Sequence, residues 1–180
     1  NVLIFRYQES LDRYGIVAGQ ILLTAGDMEN PTHRSNAQRA MDRLLGLRIL
    51  PIVNENDTVA THEIRFGDND RLAALVSVLV NADVLVLLSD IDALYTRPPG
   101  EPGALKIDTV AFDDDLAGVT YGDIGAAGVG TGGAGTKVAA AKLAAASGIP
   151  TLLAATGSVA QALAGAELGT WFEASPSPVE

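Results

Sequence analysis

Hydrophobic positions along the chain switch repeatedly between a helical and an extended period. Residues 1 to about 15 carry Val2, Leu3, Phe5, Leu11 and Tyr14 on a loosely helical spacing, which predicts an opening helix. Ile16 to Leu23 has the length and the leucine and β-branched content of a buried strand. Asn30 and Pro31 then predict a helix start, a cap followed by a residue suited to the first turn. Ala37, Ala40, Met41, Leu44 and Leu45 follow on one helical face. Ile49 to Val53 reads as a buried strand running into Asn54-Glu55-Asn56-Asp57, and Thr58 to Phe66 as a short strand pair or extended excursion. Asp68 to Asn81 predicts a helix with Leu72, Leu75, Val76 and Leu79 inward. Val84 to Leu88 is a strand ending at Ser89-Asp90.

The second half is less regular. Arg97 to Gly103 is a surface loop by its Pro and Gly content, and Phe112 to Leu116 could open a short acidic helix. An alanine-rich helix is expected from about Ala134 to Ser147, ended by Gly148 and blocked by Pro150. Thr151 to Ala154 is a strand, Val159 to Leu163 a short helix, Gly169 to Phe172 a last strand, and SPSPVE a loose tail. Helices alternating with apolar strands imply an α/β fold: a three-layer αβα sandwich with a mostly parallel central sheet covered on both faces. No internal repeat or boundary stands out, so residues 1–180 are expected to form a single domain.

Composition narrows the functions. A hydrophobic content of 48% and few aromatics suit a globular chain with close helix-to-sheet packing. No apolar run is long enough to span a bilayer, and no basic-then-apolar leader opens the sequence. The net charge of −10 disfavours nucleic acid and anionic membrane partners. The absence of cysteine excludes disulfides and thiolate zinc sites and accords with a cytoplasmic location. His33 and His62 lack ligand-like spacing and read as solvated or structural.

Candidate chemistry gathers where strands end, the usual place for ligands in parallel α/β sheets. NEND follows one strand and SDID another, while FGDND (Phe66 to Asp70) opens a helix. One Asn or Asp there would serve as a cap; Asp68, Asn69 and Asp70 together exceed that need. The stretch GTGGAGTK, Gly130 to Lys137, is close to a P-loop but has Thr136 and Lys137 in the wrong order. The glycine-rich YGDIGAAGV before it makes a poor buried strand. The P-loop reading is therefore rejected. A flexible linker remains open. So does a phosphate site, because Lys137 would sit in a helix first turn, where a cation is unfavourable unless an anion is shared with the free N–H groups. The chain has three lysines, and only Lys137 has this setting.

The segments VNENDTVATHEIRFGDNDRLAALV (Val53 to Val76), LLSDIDALY (Leu87 to Tyr95) and GTGGAGTK resemble, in the same order, the amino acid kinase family and its glutamate-phosphorylating branch. VAGQILLT and SNAQRAMDRLL share the likeness, which runs from about Tyr14 onward. The resemblance implies transfer of the ATP γ-phosphate to the side-chain carboxylate of L-glutamate with Mg²⁺, opening proline synthesis. It implies that Asp57, Asp68 and Asn69 bind glutamate, that Asp70 orients catalytic lysines, and that Ser89 and Asp90 touch the nucleotide. Thr131, Gly132, Gly133, Ala134, Gly135, Thr136 and Lys137 would wrap its phosphates, with Lys137 neutralising the transferred group; no metal ligand is assigned. Proline as feedback inhibitor and a homo-oligomer are further family expectations. Ala134 stands where relatives carry methionine. The family's first strand, with its lysine and phosphate loop, has no counterpart, and neither has the RNA-binding-like domain that follows in many relatives. An N-terminally truncated kinase is therefore expected. The alternatives are a member of the family acting on aspartate, acetylglutamate, carbamate or a nucleoside monophosphate, and a fragment that binds nucleotide or amino acid without turnover.

Overall fold

The computed structural model of the chain describes residues 2–56, 69–121 and 133–176. These fall into two compact units, residues 1–72 and 73–180. The expected excursion at 58–66, together with His62, lies outside the described residues.

In the first unit, α1 (Val2–Asp12) leads into β1 (Val17–Leu23), α2 (Ala25–Glu29), α3 (Pro31–Gly46) and β2 (Ile49–Glu55). The Gln8 side chain ties α1 to β1 by accepting the Ala18 N–H at 3.0 Å. Asn30 caps α3 as expected, its Oδ1 accepting from the N–H groups of Thr32 at 2.9 Å and His33 at 3.1 Å. Strands β1 and β2 pair in parallel from Val17↔Ile49 to Leu23↔Glu55. A Cβ on Gly19 would stand 3.1 Å from Ile49 and 3.4 Å from Leu44, so this glycine lets α3 and β2 approach the strand closely. β2 runs two residues beyond its expected end. Asn54 and Glu55 are paired with Leu22 and Leu23, and the Asn56 N–H donates to the Leu23 carbonyl. Backbone pairing with β1 thus carries Asn54 and Glu55 into the ladder despite their polarity.

Helix α4 (Asn69–Leu79) follows, with Leu72 and Leu79 buried. The second unit holds β3 (Leu85–Ser89), the hairpin β4 (Leu94–Tyr95) and β5 (Lys106–Ile107), β6 (Thr109–Val110), α5 (Ala134–Ala146), β7 (Thr151–Ala155), α6 (Val159–Leu163) and β8 (Thr170–Phe172). Its larger sheet has the order β3-β7-β8-β6. β3 and β7 are parallel, as are β6 and β8, while β7 and β8 are antiparallel. The α/β class and the mostly parallel pairing therefore hold, with the strands distributed between separate sheets in the two units. α5 buries Val138, Ala140, Ala141, Ala144 and Ala145, small residues that bring its backbone close to the sheet core of Leu85, Leu87, Leu153 and Phe172. Its end is a Schellman turn: Gly148 sits at φ 82, the Ile149 N–H reaches the Ala144 carbonyl at 3.0 Å, and Ile149 is buried.

The short acidic helix expected at Phe112 to Leu116 does not form. The Asp114 and Asp115 carboxylates instead accept from the N–H groups of Leu116 and Ala117, each at 2.8 Å, and Leu116 turns to φ 57. These local side-chain bonds compete with the helical ladder.

Candidate nucleotide and substrate site

Parallel pairing sets Ser89, the last residue of β3, opposite Ala155, the last of β7. The next residue, Thr156, donates its hydroxyl to the Ser89 carbonyl at 3.0 Å. Ser89 is 6% exposed. Its hydroxyl donates to the Asp90 carboxylate at 3.1 Å and accepts the Ile91 N–H at 3.4 Å, while Asp90 is exposed. The serine thus shapes the loop and the aspartate faces outward. Beyond them Tyr95 donates its phenol to Asp92 at 3.0 Å.

Helix α5 ends shortly before β7 begins and packs against β3 and β7, so it runs back across them. Its first turn therefore lies toward the strand ends that carry Ser89 and Thr156. Gly133 takes the N-cap position at φ −93 and ψ −175 and supplies no side-chain cap. The Thr136 hydroxyl donates back to the Gly133 carbonyl at 2.8 Å. Among the described residues a Cβ added at Gly135 would meet the Tyr121 ring, at 4.0 Å, an ordinary contact that does not demand glycine. A helix start with glycine at its N-cap and in its first turn is suited to close approach of its backbone by an anion. Lys137, half-buried, stands in the same turn. Burial, then the Asp114 charge, pushes the Tyr121 phenol above its ordinary pKa, keeping it neutral beside this turn.

The structure thus brings Ser89, Asp90, Gly133, Ala134, Gly135, Thr136 and Lys137 to one edge of the second unit. Thr131 and Gly132 lie outside the described residues, as do Asp57 and Asp68. Asn69 and Asp70 open α4, the first exposed and the second half-buried, and the acid's position is favourable to the helix dipole. Sequence reasoning missed Thr156, although its place just after a parallel strand was a usable signal. Tyr121 carried no signal. A cavity of about 630 Å³ opens elsewhere, beside Lys106, Glu167 and Trp171, and contains none of the expected site residues. Among the described residues no three His, Asp or Glu side chains gather to hold a metal, and no helix is long and apolar enough to cross a membrane.

Solved structures share this architecture. Carbamate kinase from Giardia lamblia bound to AMP-PNP superposes with a TM-score of 0.58 at 21% identity, covering 77% of this chain and 49% of that one. Uridylate kinase from Archaeoglobus fulgidus gives 0.52 at 21% identity, over 75% and 57%. The fold is that of these α/β proteins. The sequence profile of the Amino acid kinase family matches residues 1–155, and the chain belongs to that family. Among its relatives, the glutamate 5-kinase of Clavibacter sepedonicus is 74% identical over 172 residues, which make up 96% of this chain and 66% of that protein. That of Leifsonia xyli subsp. xyli is 71% identical, over 96% and 64%. That of Streptomyces coelicolor is 56% identical, over 97% and 46%. The chain thus spans 66% or less of the length of these three relatives.

Proposed function

We propose that this chain belongs to an enzyme that transfers the γ-phosphate of ATP to the side-chain carboxylate of L-glutamate, the first step of proline synthesis. The observation that carries the reading is 74% identity, over 96% of the chain, to a relative named glutamate 5-kinase. The glycine-rich start of α5, with no side-chain cap at Gly133 and Lys137 in its first turn, supports it as a phosphate cradle.

A glutamate carboxylate oxygen forms a bond to the γ-phosphorus while the bond to the bridging oxygen of ADP breaks. The acceptor is already an anion, so no strong general base is needed. The backbone N–H groups of the 131–137 segment and the Lys137 ammonium offset charge on the phosphates. In keeping with the family resemblance, Ser89 and Asp90 would hold the nucleotide, Asp57, Asp68 and Asn69 glutamate, and Asp70 would orient the catalytic lysines. Mg²⁺ bound with ATP would supply further charge neutralisation at the phosphate oxygens.

The test is a substrate panel with the intact protein, MgATP, and glutamate, aspartate, acetylglutamate, carbamate or UMP, reading ADP release and trapping the acyl phosphate. Glutamate should exceed each other acceptor by about 100-fold in kcat/KM. Lys137→Ala should lower kcat about 100-fold, and a chelator should stop turnover. Equal turnover of a second acceptor, or none of glutamate, would reject the reading.

A further inference from the structure

The loop that follows β3 is fixed at both ends by threonine hydroxyls from distant parts of the chain. At its start Thr156, just after β7, donates to the carbonyl of Ser89 at 3.0 Å. At its end the N–H of Leu94 donates to the hydroxyl of Thr170 at 2.8 Å. That same hydroxyl donates to the Ile107 carbonyl at 2.6 Å, so one oxygen joins β4, β5 and β8. Thr170 is 0% exposed, and Ala93 and Leu94 are buried at 0% and 1%. Between the pins lie Asp90, Ile91, Asp92 and Ala93. The hydroxyl of Thr170 thus donates its one proton to Ile107 and accepts the Leu94 N–H. The residue before it has no freedom either: Gly169 is at φ 72, and a Cβ there would lie 2.1 Å from the Leu153 carbonyl oxygen. Thr170 is thus held by its own backbone as firmly as it holds the loop.

We propose that Thr170 and Thr156 are positioning residues for the nucleotide. They touch no substrate, and they set the backbone path from Ser89 to Leu94 so that Ser89 and Asp90 meet the nucleotide in one fixed arrangement. The inference rests on the reading of Ser89 and Asp90 as nucleotide-binding. A preformed loop spares the nucleotide the cost of ordering it, so losing a pin should weaken nucleotide affinity while leaving the acceptor side alone.

The test compares Thr170→Val and Thr156→Val with Thr170→Ser and Thr156→Ser in the intact protein. Affinity for a non-hydrolysable MgATP analogue is measured by calorimetry without any acceptor, and steady-state kinetics follow with glutamate. Each valine variant should weaken nucleotide binding about tenfold, with KM for glutamate changed less than about twofold, and each serine variant should restore most of the loss. Thr170→Val strands the N–H of Leu94 and the carbonyl of Ile107 in a buried place; if it does not fold, the Thr156 pair and Thr170→Ser decide alone. Unchanged nucleotide affinity in the folded valine variants overturns the proposal. So does an equal rise in the constants for both substrates, which marks general loosening. Wild-type protein that binds the analogue but does not turn over glutamate sinks the acceptor assignment and leaves the pins standing. Wild-type protein that binds no nucleotide sinks the pins as well.

Discussion

Asp27 shows how much a single carboxylate organises. Its Oδ2 accepts from the Thr24 N–H at 2.8 Å and the Thr24 hydroxyl at 2.7 Å, completing a capping box, and its Oδ1 lies 3.3 Å from Nδ1 of His33. Burial alone would raise its pKa, but the bonds from Thr24 and the attraction of His33 together bring it below the ordinary 3.8. A carboxylate with a depressed folded pKa contributes stability that is complete above the unfolded value and vanishes as pH falls through the folded one. The melting temperature gap between wild type and Asp27→Asn should therefore be widest near pH 6 and shrink toward about pH 3. A gap that stays level across that range would show that the charge contributes nothing. At this scale the sequence was uneven to read. Asn30 announced itself because Pro31 followed it. The Thr24-to-Asp27 spacing is also a capping signature, but the five residues of α2 are too few to show a helical period beside it.

Elements long enough to repeat their period were legible, and those decided by contacts elsewhere were not. The alanine run of α5, with Gly148 and Pro150 behind it, fixed both its ends. β4, β5 and β6 have two residues each, so no alternation can reveal them, and they exist because the chain meets partners such as Thr170 and β8. β8 in turn depends on the glycine before it. Gly169 and Gly165 both have positive φ, 72 and 81, but a Cβ meets nothing within 4 Å at Gly165 and the Leu153 carbonyl oxygen at 2.1 Å at Gly169. Gly165→Ala should cost about 1 kcal/mol, the strain of a left-handed alanine. Gly169→Ala should cost about 3 kcal/mol or more, because backbone must move to clear the clash. Urea titration of the two variants separates the contributions, and equal midpoints would mean that β8 shifts freely past β7.

For the whole chain the informative quantity is charge. Acidic groups number 22 against 12 basic ones, a net of −10, while both proposed substrates are anions. The proposed phosphate site could be read from the sequence for this reason: a strongly acidic chain would need a few local cations and approachable backbone N–H groups to take up phosphate, and Lys137 after the glycines was the conspicuous candidate. The threonine hydroxyls that hold the loop were not legible, since Thr156 and Thr170 reach partners 67 and 76 residues away along the chain. The same imbalance sets an expectation for kinetics. At low ionic strength the field of the chain extends about 30 Å and opposes the approach of MgATP; at about 0.15 M salt it is cut to about 8 Å. Association of MgATP, followed by stopped flow, should therefore speed up a few-fold between about 10 mM and about 150 mM salt, the reverse of electrostatic steering. A rate that falls with salt would mean that the cations around the first turn of α5 govern the approach and that the net charge is not felt at the site.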